Sequence, residues 1–223
     1  MISDAHSMLE SHFHAAPIVP LVDADDPASA IATANALTAG GLKVIEVVLR
    51  SDKAMDCMAA IAEKCSDVIV GAGTVLTVDQ AEEAITRGAR FTVSPGLVDD
   101  VVRYCLNKDV PIYPGAMTPG EVQRAYALGL RTVKFFPAML AGGIPMLKAL
   151  SSVFREMRFM PTGGVSADNL AEFLQLPSVI ACGGSWLTPK AEIAAGNYTA
   201  ITQLAEQAVA IARQIRAEDA GAL

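Results

Sequence analysis

Short β-branched apolar runs alternate with longer amphipathic stretches along this chain, and that alternation restricts the possible folds more than any other feature. The runs occupy residues 17–22, 43–49, 68–72, 91–94, 110–114, 132–136, 158–161 and 179–182, starting about 20 to 26 residues apart. Helix-like stretches such as 27–38, 79–87, 119–128 and 167–174 lie between them. Two of these open on a capping signal, Thr77-Val78-Asp79-Gln80 and Thr118-Pro119-Gly120-Glu121, with Gln or Glu three residues after a threonine. Strict strand–helix alternation with short loops predicts parallel strands joined by right-handed crossovers. Eight such units suit a closed (β/α)8 barrel, and an open doubly wound sheet is the alternative. The expected layout is one domain over 1–223, with an N-terminal helix in 1–16, the barrel in 17–195 and a C-terminal helix in 196–223. The two end helices could cover the barrel's bottom or side.

The net charge of −7 argues against nonspecific nucleic-acid binding, so an anionic ligand has to be held by local features. No apolar stretch approaches the roughly 18 residues that span a bilayer, and the N-terminus lacks the basic start and apolar core of a signal peptide. Cys57, Cys65, Cys105 and Cys182 form no C-x-x-C pair, which favours reduced thiols over a disulfide framework. These features predict a cytoplasmic protein with no membrane or nucleic-acid partner.

The run Lys43-Val44-Ile45-Glu46-Val47-Val48-Leu49-Arg50 tests the barrel directly. Alternation puts Ile45, Val47 and Leu49 on one face and Glu46, Val48 and Arg50 on the other. Both faces of a barrel strand are covered, so the two charges point into the interior or its mouth. They either pair with each other or serve a ligand. Lys134 poses the same problem inside Thr132-Val133-Lys134-Phe135-Phe136-Pro137. Burial disfavours a charged ammonium, and the neutral amine is a nucleophile toward carbonyls. Snorkelling or pairing with an acid is the plainer outcome.

In a barrel, the carboxyl ends of the strands build the site. Those ends carry Glu46 and Arg50, Gly71-Ala72-Gly73-Thr74, Ser94-Pro95-Gly96, Pro114-Gly115, Lys134, Pro161-Thr162-Gly163-Gly164 and Gly183-Gly184-Ser185-Trp186. The two glycine pairs fall at the last two exits, where barrels commonly bind phosphate through backbone N–H groups. An imine-forming lysine, a carboxylate-binding arginine and a proton-moving glutamate opposite a phosphate site suit retro-aldol cleavage of a phosphorylated 2-oxo acid.

With these motifs in order, the chain resembles the 2-keto-3-deoxy-6-phosphogluconate aldolases, a family that includes the 4-hydroxy-2-oxoglutarate aldolases. The glutamate motif around Glu46, the Schiff-base motif from Gly129 through Lys134 to Gly142, and the four glycine-bearing exits match in register over nearly the whole chain. The resemblance implies a class I aldolase, a homotrimer that needs no metal or cofactor. It implies Lys134 as the imine-forming lysine and Glu46 as general acid/base. Arg50, Thr74, Thr162, Phe136 and Pro95 would hold the pyruvyl end of the substrate, and Gly163, Gly164, Gly184 and Ser185 its phosphate. The implied cleavage yields pyruvate and glyceraldehyde 3-phosphate. 4-Hydroxy-2-oxoglutarate or the galactonate-derived epimer is the alternative substrate, and a non-catalytic phospho-sugar-binding barrel the alternative class. Two positions depart from the family pattern: Val48 replaces a usual threonine, making the surroundings of Glu46 drier, and Pro114-Gly115-Ala116-Met117-Thr118 is unusually apolar. His6, His12 and His14 lack partners at metal-ligand spacing and read as a solvated helix face.

Overall fold

The computed structural model describes residues 4–221. Its strands are β1 (Ile18–Val22), β2 (Val44–Val48), β3 (Ile69–Gly73), β4 (Thr92–Ser94), β5 (Ile112–Ala116), β6 (Thr132–Phe135), β7 (Arg158–Pro161) and β8 (Cys182–Gly184). All neighbours pair in parallel, in the order β7-β6-β5-β4-β3-β2-β1-β8. Parallel bridges Phe159–Val179 and Thr162–Gly183 join the two ends of that order. The sheet therefore closes into a (β/α)8 barrel, and the doubly wound alternative falls.

The helices are α1 (Asp4–Ala15), α2 (Pro27–Ala39), α3 (Ala54–Lys64), α4 (Val78–Thr86), α5 (Asp99–Asn107), α6 (Pro119–Ala127), α7 (Gly143–Val153), α8 (Leu170–Leu174), α9 (Lys190–Ala194) and α10 (Tyr198–Gly221). Both expected caps form. The Thr77 hydroxyl accepts from Gln80 N–H at 3.2 Å. Thr118 and Glu121 make a full capping box, with Thr118 N–H donating to Glu121 Oε2 at 2.8 Å.

Strand alternation sorts the apolar residues into two cores. Ile18, Val22, Ile45, Val47, Val70, Ala72, Val133 and Phe135 face outward against the helices. Val19, Val44, Ile69, Phe91, Val93, Tyr113, Met160 and Ala181 fill the interior together with Leu9 and Phe13 of α1. The first helix thus plugs the barrel's amino end. Phe13 meets Tyr113 edge-on at 6.1 Å, and Tyr113 meets Phe91 at 6.2 Å. Burying Leu9 and Phe13 contributes about 1.5–3 kcal/mol each, so the plug is a substantial part of the interior. The last helix lies on the side, with Thr202 Oγ1 donating to Ala36 O of α2 at 3.0 Å. It also reaches the plug, where Arg216 Nη2 donates to Phe13 O at 2.6 Å.

Three elements shift by two residues or more from the sequence expectation, the first being β5, at Ile112–Ala116 where 110–114 was expected. The eighth strand is Cys182–Gly184, whereas 179–182 was expected, because Val179 is spent on the isolated bridge to Phe159. Helix α8 begins at Leu170 and not at residue 167. There Asn169 Oδ1 accepts from Ser166 N–H at 2.9 Å, closing a local turn that competes with the helix's first turn.

Candidate active site

Inward parity brings Glu46 of β2 and Lys134 of β6 together across the barrel, above the apolar plug. Lys134 Nζ lies 3.3 Å from Glu46 Oε1, with the side chains 5% and 1% exposed. Burying both ions demands a close pair. The second carboxylate oxygen, Glu46 Oε2, is buried without a hydrogen-bond partner among the described residues. Inward Val44 and Val48 flank Glu46 on its own strand and offer it no hydroxyl. The Phe136 ring sits below the ammonium, 5.4 Å from Nζ to its centroid, close enough for a cation–π contribution.

Glu46 needs space that the neighbouring strand provides by omission. A Cβ at Gly73 would collide with Glu46 Oε1, so the glycine lets the carboxylate lean against bare β3 backbone. Thr74 follows with φ +61, a left-handed conformation that β-branched residues rarely adopt. That turn presents its hydroxyl to Arg50, whose Nε donates to Thr74 Oγ1 at 3.3 Å. Arg50 and Glu46 therefore do not pair with each other. The carboxylate takes the lysine, and the guanidinium keeps most of its donors free on the mouth side.

The remaining residues named from the sequence ring the same mouth. Thr162 is 3% exposed, bridges to Gly183, and its hydroxyl donates weakly to Met160 O at 3.4 Å. Pro95 follows directly on β4, and its carbonyl crowds against Gly115, the register partner of Lys134. Gly163 and Gly164 adopt φ +96 and +81, which glycine alone adopts without strain. No carbonyl among the described residues accepts from their N–H groups. The Thr162–Gly183 bridge sets this turn beside Gly184 and Ser185, with the Trp186 ring packed over Gly184. Backbone N–H groups and a hydroxyl thus stand at two adjacent strand exits, groups of the kind that can donate to an anion.

Two contributors escaped the sequence reading. Gly73, named only as part of a strand exit, shapes the pocket of Glu46, and Met139, 49% exposed, leans on Gly164 and covers the glycine turn. The first had a readable signal: Gly71 and Gly73 share inward parity on one strand. The second had none. Elsewhere, His12 Nδ1 lies 2.8 Å from Met8 O within its own helix, and the His6 side chain lies outside the described residues. No cluster of three or more His, Cys, Asp or Glu suited to a metal occurs among the described residues. All four cysteines are free and buried, with the Cys57 thiol pushed up to about 11 by burial and then by Asp26. Among the described residues no helix is long and apolar enough to cross a membrane.

Comparison with known proteins places the chain in one family. The sequence profile of the family described as KDPG and KHG aldolase matches residues 9–204. The 2-dehydro-3-deoxy-phosphogluconate aldolase of Treponema pallidum (strain Nichols) is 45% identical over 194 residues, 87% of this chain and 92% of that one. The KHG/KDPG aldolase of Escherichia coli (strain K12) is 42% identical over 200 residues, 90% of this chain and 94% of that one. Among solved structures, KDPG aldolase from Legionella pneumophila, with pyruvate captured at low pH as a covalent carbinolamine intermediate, superposes with a TM-score of 0.85. It is 38% identical, over 88% of this chain and 96% of that one.

Proposed function

The chain belongs to the KDPG and KHG aldolase family, and from that premise we propose that it cleaves 2-dehydro-3-deoxy-6-phosphogluconate to pyruvate and glyceraldehyde 3-phosphate through an imine on Lys134. The observation that carries the reading is the buried contact of Lys134 Nζ with Glu46 Oε1 at 3.3 Å. It couples a nucleophile to a group able to take and return its protons.

The free amine of Lys134 adds to the C2 ketone, and loss of water gives the protonated imine. That cation draws in the electrons of the C3–C4 bond as Glu46 takes the C4 hydroxyl proton and the aldehyde departs. Glu46 returns the proton to C3 of the enamine, and water then releases pyruvate and restores the amine. Arg50 grips the substrate carboxylate with its free guanidinium donors, and Thr74 and Thr162 offer hydroxyls beside it. Phe136 and Pro95 give the pyruvyl carbons an apolar wall. Gly163, Gly164, Gly184 and Ser185 hold the phosphate at the far side of the mouth. The carbinolamine captured in the Legionella relative supports covalent pyruvate chemistry in this fold.

Borohydride added with pyruvate tests the reading. A permanent mass gain mapping to the peptide that contains Lys134 is expected; an unchanged mass, or label on another lysine, overturns the imine. A second reading, 4-hydroxy-2-oxoglutarate as substrate, follows from the double name of the E. coli relative. Comparing kcat/KM for it, the gluconate derivative and its galactonate epimer separates the candidates.

We also assign a homotrimer. Leu76, Met117, Met139 and Leu140 expose apolar side chains just beyond the strand ends, Leu140 by 90%. Large exposed apolar groups gathered on one rim favour a protein contact, and sedimentation equilibrium tests the trimer. Buried free thiols suit a reducing, cytoplasmic setting.

A further inference from the structure

A second anion-ready surface lies away from the mouth. A cleft of about 470 Å3 opens between α7 and the segment leading to β8, lined by Lys148, Ser151, Arg155, Arg158, Pro177 and Ser178 among others. None of its lining residues is acidic. Lys148, Arg155 and Arg158 make no ion pair among the described residues, although eight such pairs engage cations elsewhere on the chain. Three unpaired cations converging on one concavity run against the net charge of −7.

The simpler account is that these cations complement the carboxyl end of α7. The hydrogen bonds argue otherwise. Phe154 N–H takes the Leu150 carbonyl at the helix end at 2.8 Å, while Ser151 Oγ donates to Leu147 O at 2.7 Å and Ser152 Oγ to Ala149 O at 2.8 Å, both further inside the helix. The one cationic contact is Arg158 Nη1 to Arg155 O at 3.4 Å, beyond the helix. Among the described residues Lys148 and the Arg155 guanidinium donate to no partner. Ser151 Oγ lies 2.7 Å from Ser178 Oγ; with its own proton spent on Leu147 O, it accepts from Ser178, whose proton is therefore also engaged. Leu176 and Pro177 add an apolar wall.

We propose that this cleft binds a small phosphate monoester: the dianion on Lys148, Arg155 and Arg158, the carbon skeleton against Leu176 and Pro177. Two guanidinium forks match phosphate oxygens in pairs, and the volume falls in the range of small-ligand sites. The site is separate from the mouth, so it stands whether or not Ser185 and the glycines hold substrate phosphate.

Isothermal titration of the full chain with inorganic phosphate and with glycerol 2-phosphate, in about 150 mM sodium chloride to screen diffuse attraction, decides the matter. Besides any binding at the mouth, the wild type is expected to show a phosphate site that the Lys148→Ala/Arg155→Ala variant lacks or binds at least about tenfold more weakly, since each lost donor was charge-assisted. Lys148→Glu, a single change on the exposed helix face, should weaken the same site and keep the variant's circular dichroism unchanged. Tighter binding of glycerol 2-phosphate than of inorganic phosphate supports the apolar wall, and equal or weaker binding overturns the monoester. Superimposable isotherms for wild type and both variants overturn the site altogether.

Discussion

At the amino end of the barrel interior, Val19, Val44, Ile69, Phe91 and Tyr113 close on Leu9 and Phe13. One inward step further along the same strands stand Leu21, Glu46, Gly71, Val93 and Gly115, with Lys134 and Thr162 beside them. The backbone scaffold is continuous between the two levels, so the change of chemistry lies wholly in the side chains. Below, large rings interlock and leave no room for water-seeking groups. Above, glycines withdraw side-chain volume and leave a carboxylate against bare backbone. The comparison teaches that one end of the tube is committed to holding it closed. The other end is thereby released from packing and can carry two opposite charges that a filled core would reject.

That division can be broken experimentally, and the strongest blow falls on the mouth. Lys134→Met should lower kcat for pyruvate release by several orders of magnitude, since no other lysine among the described residues is buried. Activity within tenfold of the wild type would erase the chemical distinction between the ends. Phe13→Ala strikes the other level. It should destabilise the chain by about 3–5 kcal/mol in urea unfolding while kcat in the folded fraction stays close to wild type. A matching collapse of kcat would mean that the ends are not separable. Gly73→Ala sharpens the comparison from within the mouth, because the added methyl displaces the Glu46 carboxylate. A fall of about 10²-fold in kcat/KM is expected for a misplacement on the ångström scale.

The smallest effect belongs to neither end. On the outer surface the hydrogen bond from Arg124 Nε to Asp99 at 2.7 Å holds the Asp99 carboxyl below its ordinary range. A depressed carboxylate stabilises the fold above its unfolded-state value and loses that contribution as pH falls through the folded one. Asp99→Asn should therefore slightly flatten the acid limb of the stability curve, read from melting temperatures below neutral pH. An unchanged limb would show that solvent screens the pair completely.

Much of the barrel was readable beforehand because period-two alternation and glycine at strand exits are local signals. Glu46 and Lys134 stood out as charges on strands whose two faces are both covered. What the chain did not disclose was pairing: Arg50 was as free to meet Glu46 as a ligand, and only the left-handed turn at Thr74 sends it elsewhere. The last strand was misplaced because Gly183 and Gly184 carry no β-branched side chain, so a real strand looked like a loop. The cover that Met139 gives Gly164 depends on how two loops meet, and no spacing in one sequence encodes that. The basic cleft joins residues from separate elements, Lys148 through Ser178, and was invisible for the same reason.

The unpartnered oxygen of Glu46 carries an evolutionary consequence. A buried ion pair with one oxygen unsatisfied is a standing thermodynamic burden, and replacing such pairs with well-packed apolar residues often gains about 1–4 kcal/mol. Selection for heat resistance alone would push positions 46 and 134 toward leucine and methionine, because the barrel beneath them is already complete without them. A laboratory lineage chosen only for survival on heating should end in sturdy, inert tubes. A glutamate and a lysine held together at such a cost fit the chemical roles proposed for them, which folding by itself does not require.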